Sequence, residues 1–430
     1  HFIDNSFAAR VFAQSGQSFI HWTLEPKKIN FVGRGDRYQA VFELVLRIED
    51  NEGKPVLEQT EEIPLSVTPE QYKAHERQLF AFQDIVPIIP GRFKLFGLLK
   101  NKSARDFTSF SAPLAVSPEG EDRPMPLLLY HSREKMSGPQ ARGLKAFAFG
   151  EFHYLVNARN EFLPQSEIGA YLRLPASTRA SLAAAREVLF EVRPVEATEA
   201  VFSQEKRLGE VLTADGEGLD TGVFSLAQLK PGYYSAALSL LDDRGQGLFS
   251  AGENFILLSQ NVPVLPWVYA KSHPAFPSHQ HLFLLSTEHF LTGRYVQAAA
   301  LAEQALDLKD DPPTRVLLGK ILFALGRYKD SLDVLKPTEQ KGFSREAAKV
   351  MAADLAGLKD WPSALVYLEK LLAEATEVSV LNLAGECYLN LNQPERALPL
   401  LQKSLAIDPN QPGIKALLDK AQAALREAGA

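Results

Sequence analysis

The chain has 430 residues, 46% apolar and 23% charged, which is too long for one core and too apolar for a disordered or collagen-like class. A net charge of −6 disfavours a nucleic-acid or anionic-membrane partner, because phosphate is neutralised by concentrated Lys and Arg. The longest apolar runs, such as Leu282 to Leu285, fall far short of the roughly 20 residues that cross a bilayer, so no transmembrane segment is expected.

Residues 1–117 read as a first antiparallel β-sandwich. An alternating run, Phe7, Ala9, Val11 and Ala13, leads it, and a free strand of this kind can complete the sheet of a second copy. Tyr38, Ala40, Phe42, Leu44, Leu46 and Ile48 alternate with mostly polar neighbours, the pattern of a strand with one buried face. Asp50 to Gly53 turns the chain into a partner strand, Val56 to Ile63. Thr68 to Arg77 reads as a short polar helix or loop. Pro90-Gly91 then opens a strand through Phe93, Leu95, Gly97 and Leu99, and Phe107 to Val116 closes the unit.

Residues 118–143, rich in Pro, Gly and charge, read as a linker carrying one apolar strand, Leu127 to Tyr130. A second sandwich is expected over residues 144–260. Ile168 to Leu174 and Val188 to Val195 alternate within it, with a short helix between them at Thr178 to Arg186. Its end echoes the end of the first. Pro231-Gly232 leads into Tyr234, Ala236, Leu238 and Leu240 as Pro90-Gly91 leads into Phe93, Leu95, Gly97 and Leu99. Each run is followed by a polar turn and a final strand, a sign of two related sandwiches in tandem. Residues 261–278 hold Pro263, Pro266, Pro274 and Pro277 and read as a semi-rigid connector in which Trp267 packs on a neighbour.

Residues 279–430 carry one pattern four times. Ala298, Ser331, Ala364 and Ala397 recur every 33 residues, and Ser286, Gly319, Ala352 and Gly385 keep the same step. Tyr295, Tyr328 and Trp361 hold an aromatic register, with Pro394 in the fourth copy. Such a step with two small positions is what stacked helical hairpins require, since helices cross closely only where a side chain ends at Cβ. Gly293, Gly326, Lys359 and Asn392 fall near the turn of each hairpin, and Pro412 to Glu427 reads as an amphipathic terminal helix. The single cysteine, Cys387, forms no internal disulfide and reads as a small buried apolar residue. Gly385, Tyr388, Ala397 and Pro409 sit at the signature spacing of the tetratricopeptide repeat family, which this region resembles. The fold class is therefore two tandem antiparallel Ig-like β-sandwiches followed by an α-helical tetratricopeptide solenoid.

In such stacks the first helix of each repeat lines the inner wall. Its outward positions are Phe283, Val316, Lys349 and Asn382; Thr287, Lys320, Ala353 and Glu386; and Phe290, Phe323, Ala356 and Leu389. An extended or helical peptide with an apolar end and a polar end suits this gradient. Family members that clamp a peptide carboxylate use Lys and Asn in adjacent repeats; Ala353 stands where an Asn is needed, so that clamp is not expected.

The order of modules over the whole chain resembles the C-terminal portion of bacterial secreted proteins with a GWxTD domain ahead of β-sandwich and tetratricopeptide modules. Val86 to Leu99 and Leu229 to Leu240, continuing to Pro266-Trp267, carry this likeness, while the naming motif is absent. The resemblance implies a periplasmic or extracellular protein without an enzymatic role. The chain begins at His1, read as removal of a leader or of a longer N-terminal portion.

Chemical motifs point elsewhere than catalysis. Arg34-Gly35-Asp36 lies where a strand-connecting turn is expected. Ser132 to Lys135 has the spacing of an acyl-enzyme nucleophile but lacks its companion motifs. His273, His279, His281 and His289 cluster without a Cys or Asp at ligand spacing. Asp215 to Asp220 offers three carboxylates in a glycine-rich loop, read as a solvated hairpin ahead of a calcium site. No metal or cofactor is expected. The function expected is a non-catalytic scaffold binding a protein partner through its repeats. The alternatives are a self-assembling subunit using the N-terminal strand, and a carbohydrate-binding protein or enzyme.

Overall fold

Alternating apolar rows place pairs of sheets face to face over the first two thirds of the chain, and the 33-residue register builds helical hairpins over the last third. The computed structural model describes residues 1–14, 16–75, 78–118, 126–137, 143–174, 182–260, 262, 264–340, 342 and 344–428. It divides into two units, His1–Pro277 and Ser278–Ala430.

In the first β-block a five-stranded sheet joins Val32–Arg34, Arg37–Asp50, Pro55–Val67, Gly91–Asn101 and Asp106–Val116. The row Ala40, Phe42, Leu44, Leu46 and Ile48 is buried, as the alternation requires. A second sheet runs in the order Asn5–Gln14, Gln17–Pro26, Phe80–Pro87, Trp267–Ala270. Rings from both sheets interlock: Phe7 stacks on Phe110 at 4.1 Å between centroids, and Phe42 meets Phe82 edge-on at 5.0 Å.

Two expectations are corrected here. Trp267–Ala270 is an edge strand, parallel to Phe80–Pro87, where a connector was expected. Lys271 and His273 pin the following residues to Glu61 and Asp84, at 2.8 Å and 2.5 Å. Four residues between prolines give too short a run for alternation to reveal a strand. The linker is corrected in one part: it carries the expected strand, as Leu128–Tyr130, and also a second one, Ser132–Lys135, while 119–125 and 138–142 lie outside the described residues.

The two β-blocks also share a core. Phe12, 0% exposed, packs with Leu128, Tyr130, Phe147, Phe149, Tyr154 and Tyr171. Gln17–Pro26 is consequently buried on both faces: the Phe147 N–H donates to His21 Nδ1 at 2.9 Å, and the Ala158 N–H to Glu25 Oε1 at 2.8 Å. Burial lowers the His21 pKa to about 3 and raises that of Glu25 to about 7.

In the second block a five-stranded sheet runs Glu161–Phe162, Gly247–Leu257, Gly232–Leu241, Glu187–Pro194, Phe202–Arg207. A three-stranded sheet of Gly218–Ser225, Glu167–Arg173 and Leu128–Tyr130 contributes to the same core, where Phe190 stacks on Phe224 at 5.0 Å. The Pro-Gly echo is topological. Gly91–Asn101 and Gly232–Leu241 each lie between the strand that follows them and one long earlier strand. Two short helices, α1 (Pro69–His75) and α2 (Leu208–Val211), interrupt the strands; of the helix expected at Thr178 to Arg186, residues 178–181 lie outside the described residues and 182–186 form a turn and a link into Glu187–Pro194.

The second unit holds α3 (His279–Leu291), α4 (Tyr295–Leu308), α5 (Pro312–Ala324), α6 (Tyr328–Glu339), α7 (Arg345–Gly357), α8 (Trp361–Glu374), α9 (Val378–Asn390), α10 (Pro394–Ile407) and α11 (Pro412–Ala428). They form four hairpins and a terminal helix. Ala298, Ser331, Ala364 and Ala397 are all 0% exposed at the crossings within the hairpins. There the Ser286 hydroxyl donates to the Ala298 carbonyl at 2.8 Å, and Ser331 to Gly319 at 3.0 Å. A Cβ on Gly385 would stand 2.6 Å from the Leu401 side chain, which is why this register stays small.

Each hairpin turn closes with one repeated device. Gly293, Gly326, Lys359 and Asn392 all take positive φ (76°, 72°, 62° and 57°). The two N–H groups around each turn return to the carbonyls of the preceding helix, as Gly326 to Phe323 and Arg327 to Leu322 do. Glycine meets that conformation without strain; Lys359 and Asn392 do not.

Candidate binding groove of the helical repeats

The first helices of successive repeats touch one another (α3 with α5, α5 with α7, α7 with α9), whereas no two second helices do so to that extent among the described residues. The first helices therefore form the inner wall, and Ser278, Asp311 and Ser344 start three of them by accepting a backbone N–H.

The wall is less apolar than its sequence register implies. Val316 is corrected outright: it is buried among Leu335, Ala347, Val350 and Met351, because the third repeat packs over it. Ala356 is buried as well. Phe283 and Phe290 are half-buried, and the Phe290 ring leans on Tyr295 at 5.8 Å between centroids. Phe323, which is 39% exposed, leans on Tyr328 at 5.5 Å in the same way. Leu291, 46% exposed and adjacent to Phe290, was not singled out by the register. Thr287 turns its hydroxyl to the Phe283 carbonyl of its own helix at 2.8 Å.

Charge replaces apolar surface in the middle. Lys320 pairs with Glu346 at 2.8 Å, Glu346 also with Lys349, and Lys349 with Glu377 at 3.2 Å. Arg345 then holds Glu377 at 2.6 Å and Glu374 at 2.9 Å. The hydrogen bonds from Lys320 and Lys349 lower the Glu346 pKa to about 2. The ladder alternates in sign, so Lys320 and Lys349 present little net charge to a partner. The acids were not legible from the repeat register; the spacing of three between Glu346 and Lys349 was the one available signal.

The fourth repeat is polar. Asn382 Nδ2 donates to Gln411 Oε1 at 2.7 Å, and the Ser404 hydroxyl donates to Asn382 Oδ1 at 2.5 Å. Glu386 is exposed and Leu389 half-buried. Beneath the wall, on α7, Asp354 is 0% exposed; its carboxyl oxygens accept no well-formed hydrogen bond, and the neighbouring Ser331 hydroxyl, which donates to Gly319, interacts with it only weakly. Burial raises its pKa to about 7. Cys387, one repeat further on, is buried and its thiol is pushed up to about 11 by burial, which makes it inert.

The other sequence motifs come to rest in structural roles. Phe7, Ala9, Val11 and Ala13 are paired along their whole strand with Gln17–Pro26, so self-assembly would have to use the strand's other edge or first break this hairpin. Arg34-Gly35-Asp36 is a hairpin tip with Gly35 at φ 60°. Ser132 and Lys135 lie three apart on a strand and so face opposite ways. His273, His279 and His281 are engaged separately, by Asp84, Asp311 and Ser278. Asp220 is no solvated hairpin residue: it is buried and accepts from Tyr130 at 2.5 Å, from Tyr154 at 2.9 Å and from Arg133. Asp215 accepts from Thr213 at 2.6 Å and Glu217 pairs with Arg173, so the three carboxylates point to different donors.

Residues 268–338 match the family described as anaphase-promoting complex, cyclosome, subunit 3, and residues 355–425 match a tetratricopeptide repeat family. The C-terminal region thus consists of tetratricopeptide-type repeats. No curated protein matches the chain. Among solved structures it is similar to the APC/C hetero-tetramer Cut9-Hcn1, at 21% identity over 34% of this chain and 30% of that one, with a TM-score of 0.32. A thermophilic TPR protein of Thermus thermophilus matches at 18% over 34% and 82%, TM-score 0.30. One from Parabacteroides merdae matches at 17% over 34% and 57%, TM-score 0.29. The chain spans less than a third of the first of these, and likenesses at this level say nothing of what it binds.

Proposed function

We propose that the chain is a non-catalytic scaffold of the cell envelope or cell surface whose repeats hold a protein partner. The observation that carries this reading is the asymmetry of the inner wall. Phe323, Phe290 and Leu291 leave apolar surface open at one end, a self-neutralised ion ladder fills the middle, and Asn382 and Glu386 close the other end. A chain with an apolar anchor followed by uncharged polar residues fits that order, because a charged residue over the ladder would have to displace an existing pair. The β-unit is read as two Ig-like sandwiches, and its likeness in module order to the GWxTD-domain proteins supports the envelope placement. The engagement of Asp220, Asp215 and Glu217 by structural donors supports the non-catalytic reading.

The test is capture from envelope extract with the full chain, identification of the captured protein, and calorimetric titration of that protein once purified. Phe323→Ala and Phe290→Ala are expected to weaken binding about tenfold or more, as loss of an aromatic anchor does, with helix content unchanged. Affinities within about twofold of the parent would overturn the reading.

A further inference from the structure

A cleft of about 660 Å³ opens on the second β-block, within the roughly 300–1,000 Å³ range of small-ligand sites. Its feature is Tyr233, 70% exposed, facing outward from Gly232–Leu241 in register with Ile256. The next positions on that face, Ser235, Ala237 and Ser239, are small, so the ring belongs to no aromatic row. Its exposed face is free to take a flat apolar partner within the cleft. Around it stand Arg159, Glu196 and Asn254.

The frame is fixed. Pro194 and Pro231 restrict the backbone on either side, the Val195 N–H donates to the Tyr233 carbonyl at 3.1 Å, and the buried Tyr234 donates its hydroxyl to Lys230 O at 2.6 Å. Arg159 pairs with Glu161 at 3.4 Å, and its side chain is 49% exposed.

We propose that this cleft binds a neutral carbohydrate, a sugar ring lying on Tyr233 with its hydroxyls on the groups around it. A pyranose offers one apolar C–H face for an aromatic ring and a rim of hydroxyls. Planar guanidinium, amide and carboxylate groups meet those hydroxyls two at a time. Peptide capture by strand addition is closed here, because Gly232–Leu241 is paired on both edges. Arg159 is already paired with Glu161 and Glu196 adds a further negative charge, so a polyanion gains little.

The full chain is titrated by calorimetry with maltohexaose, cellohexaose, chitohexaose and mannohexaose, and with heparin as the anionic control. At least one neutral oligosaccharide is expected to bind. Tyr233→Ala should lower that affinity about tenfold with an unchanged melting curve, while Tyr233→Phe, which keeps the ring, should stay within about threefold. No binding of any neutral sugar at millimolar concentration overturns the proposal. So does binding that Tyr233→Ala leaves intact, or binding of heparin alone that Arg159→Ala abolishes. The outcome is independent of the repeats, whose Phe323 variant leaves this cleft untouched.

Discussion

Replacing Asp354 by Asn is expected to stabilise the helical unit above neutral pH and to change it little near pH 4. The carboxyl is fully buried with only the Ser331 hydroxyl near it, and burial, opposed in part by that hydroxyl, raises its pKa from 3.8 to about 7 on folding. Between those values the unfolded chain releases the proton and the folded one keeps it, so stability falls as pH rises through that window and levels above about 7. At about 1.4 kcal/mol per unit, three units give about 4 kcal/mol at the plateau, taken as an upper value because the Ser331 hydroxyl can turn toward the charge. For a helical unit of this size that is a rise of roughly 8–16 °C in midpoint at pH 8. The assay is thermal unfolding of the full chain by circular dichroism at 222 nm, at pH 4, 5.5, 7 and 8. Parallel pH profiles for parent and variant would refute the reasoning. A variant less stable than the parent at pH 8 would mean that Asp354 has a partner after all.

Two further substitutions test the hairpins. Lys359→Gly removes the strain of a non-glycine residue at φ 62° and should stabilise by about 0.5–1 kcal/mol by urea unfolding, since the left-handed cost outweighs glycine's extra unfolded freedom. Gly385→Leu should destabilise by about 2–3 kcal/mol, because its Cβ already falls 2.6 Å from Leu401, which is 0% exposed and has nowhere to go.

The helical part was legible because its constraint is local and periodic. A small residue at Ala298, Ser331, Ala364 and Ala397 is forced by a crossing between neighbours in sequence, and the left-handed turn at Gly293, Gly326, Lys359 and Asn392 repeats with it. The long strands were legible for a similar reason, alternation along Arg37–Asp50 being a property of one segment. What stayed hidden depends on partners far away in the chain. His21 and Glu25, polar residues of one strand, are buried because residues 144–158 cover them. Trp267–Ala270 is a strand only because Phe80–Pro87 offers it an edge.

The same distinction explains the groove. Repeat register fixes which residues occupy equivalent places, but exposure at a place depends on what the next repeat sets over it. Val316 and Lys349 share one register position; the first is sealed by Ala347 and Met351, and the second is held in the open by Glu346 and Glu377. Phe290 and Phe323 each lean on an aromatic of their own hairpin, Tyr295 or Tyr328, and Phe290 also packs against the cluster of the next repeat's Leu317, Leu318, Ile321 and Leu322, whereas Phe323 stays 39% exposed. Binding is therefore expected to depend on Phe323, an exposed aromatic, more than on Lys320 and Lys349, whose charges are already met by Glu346 and Glu377.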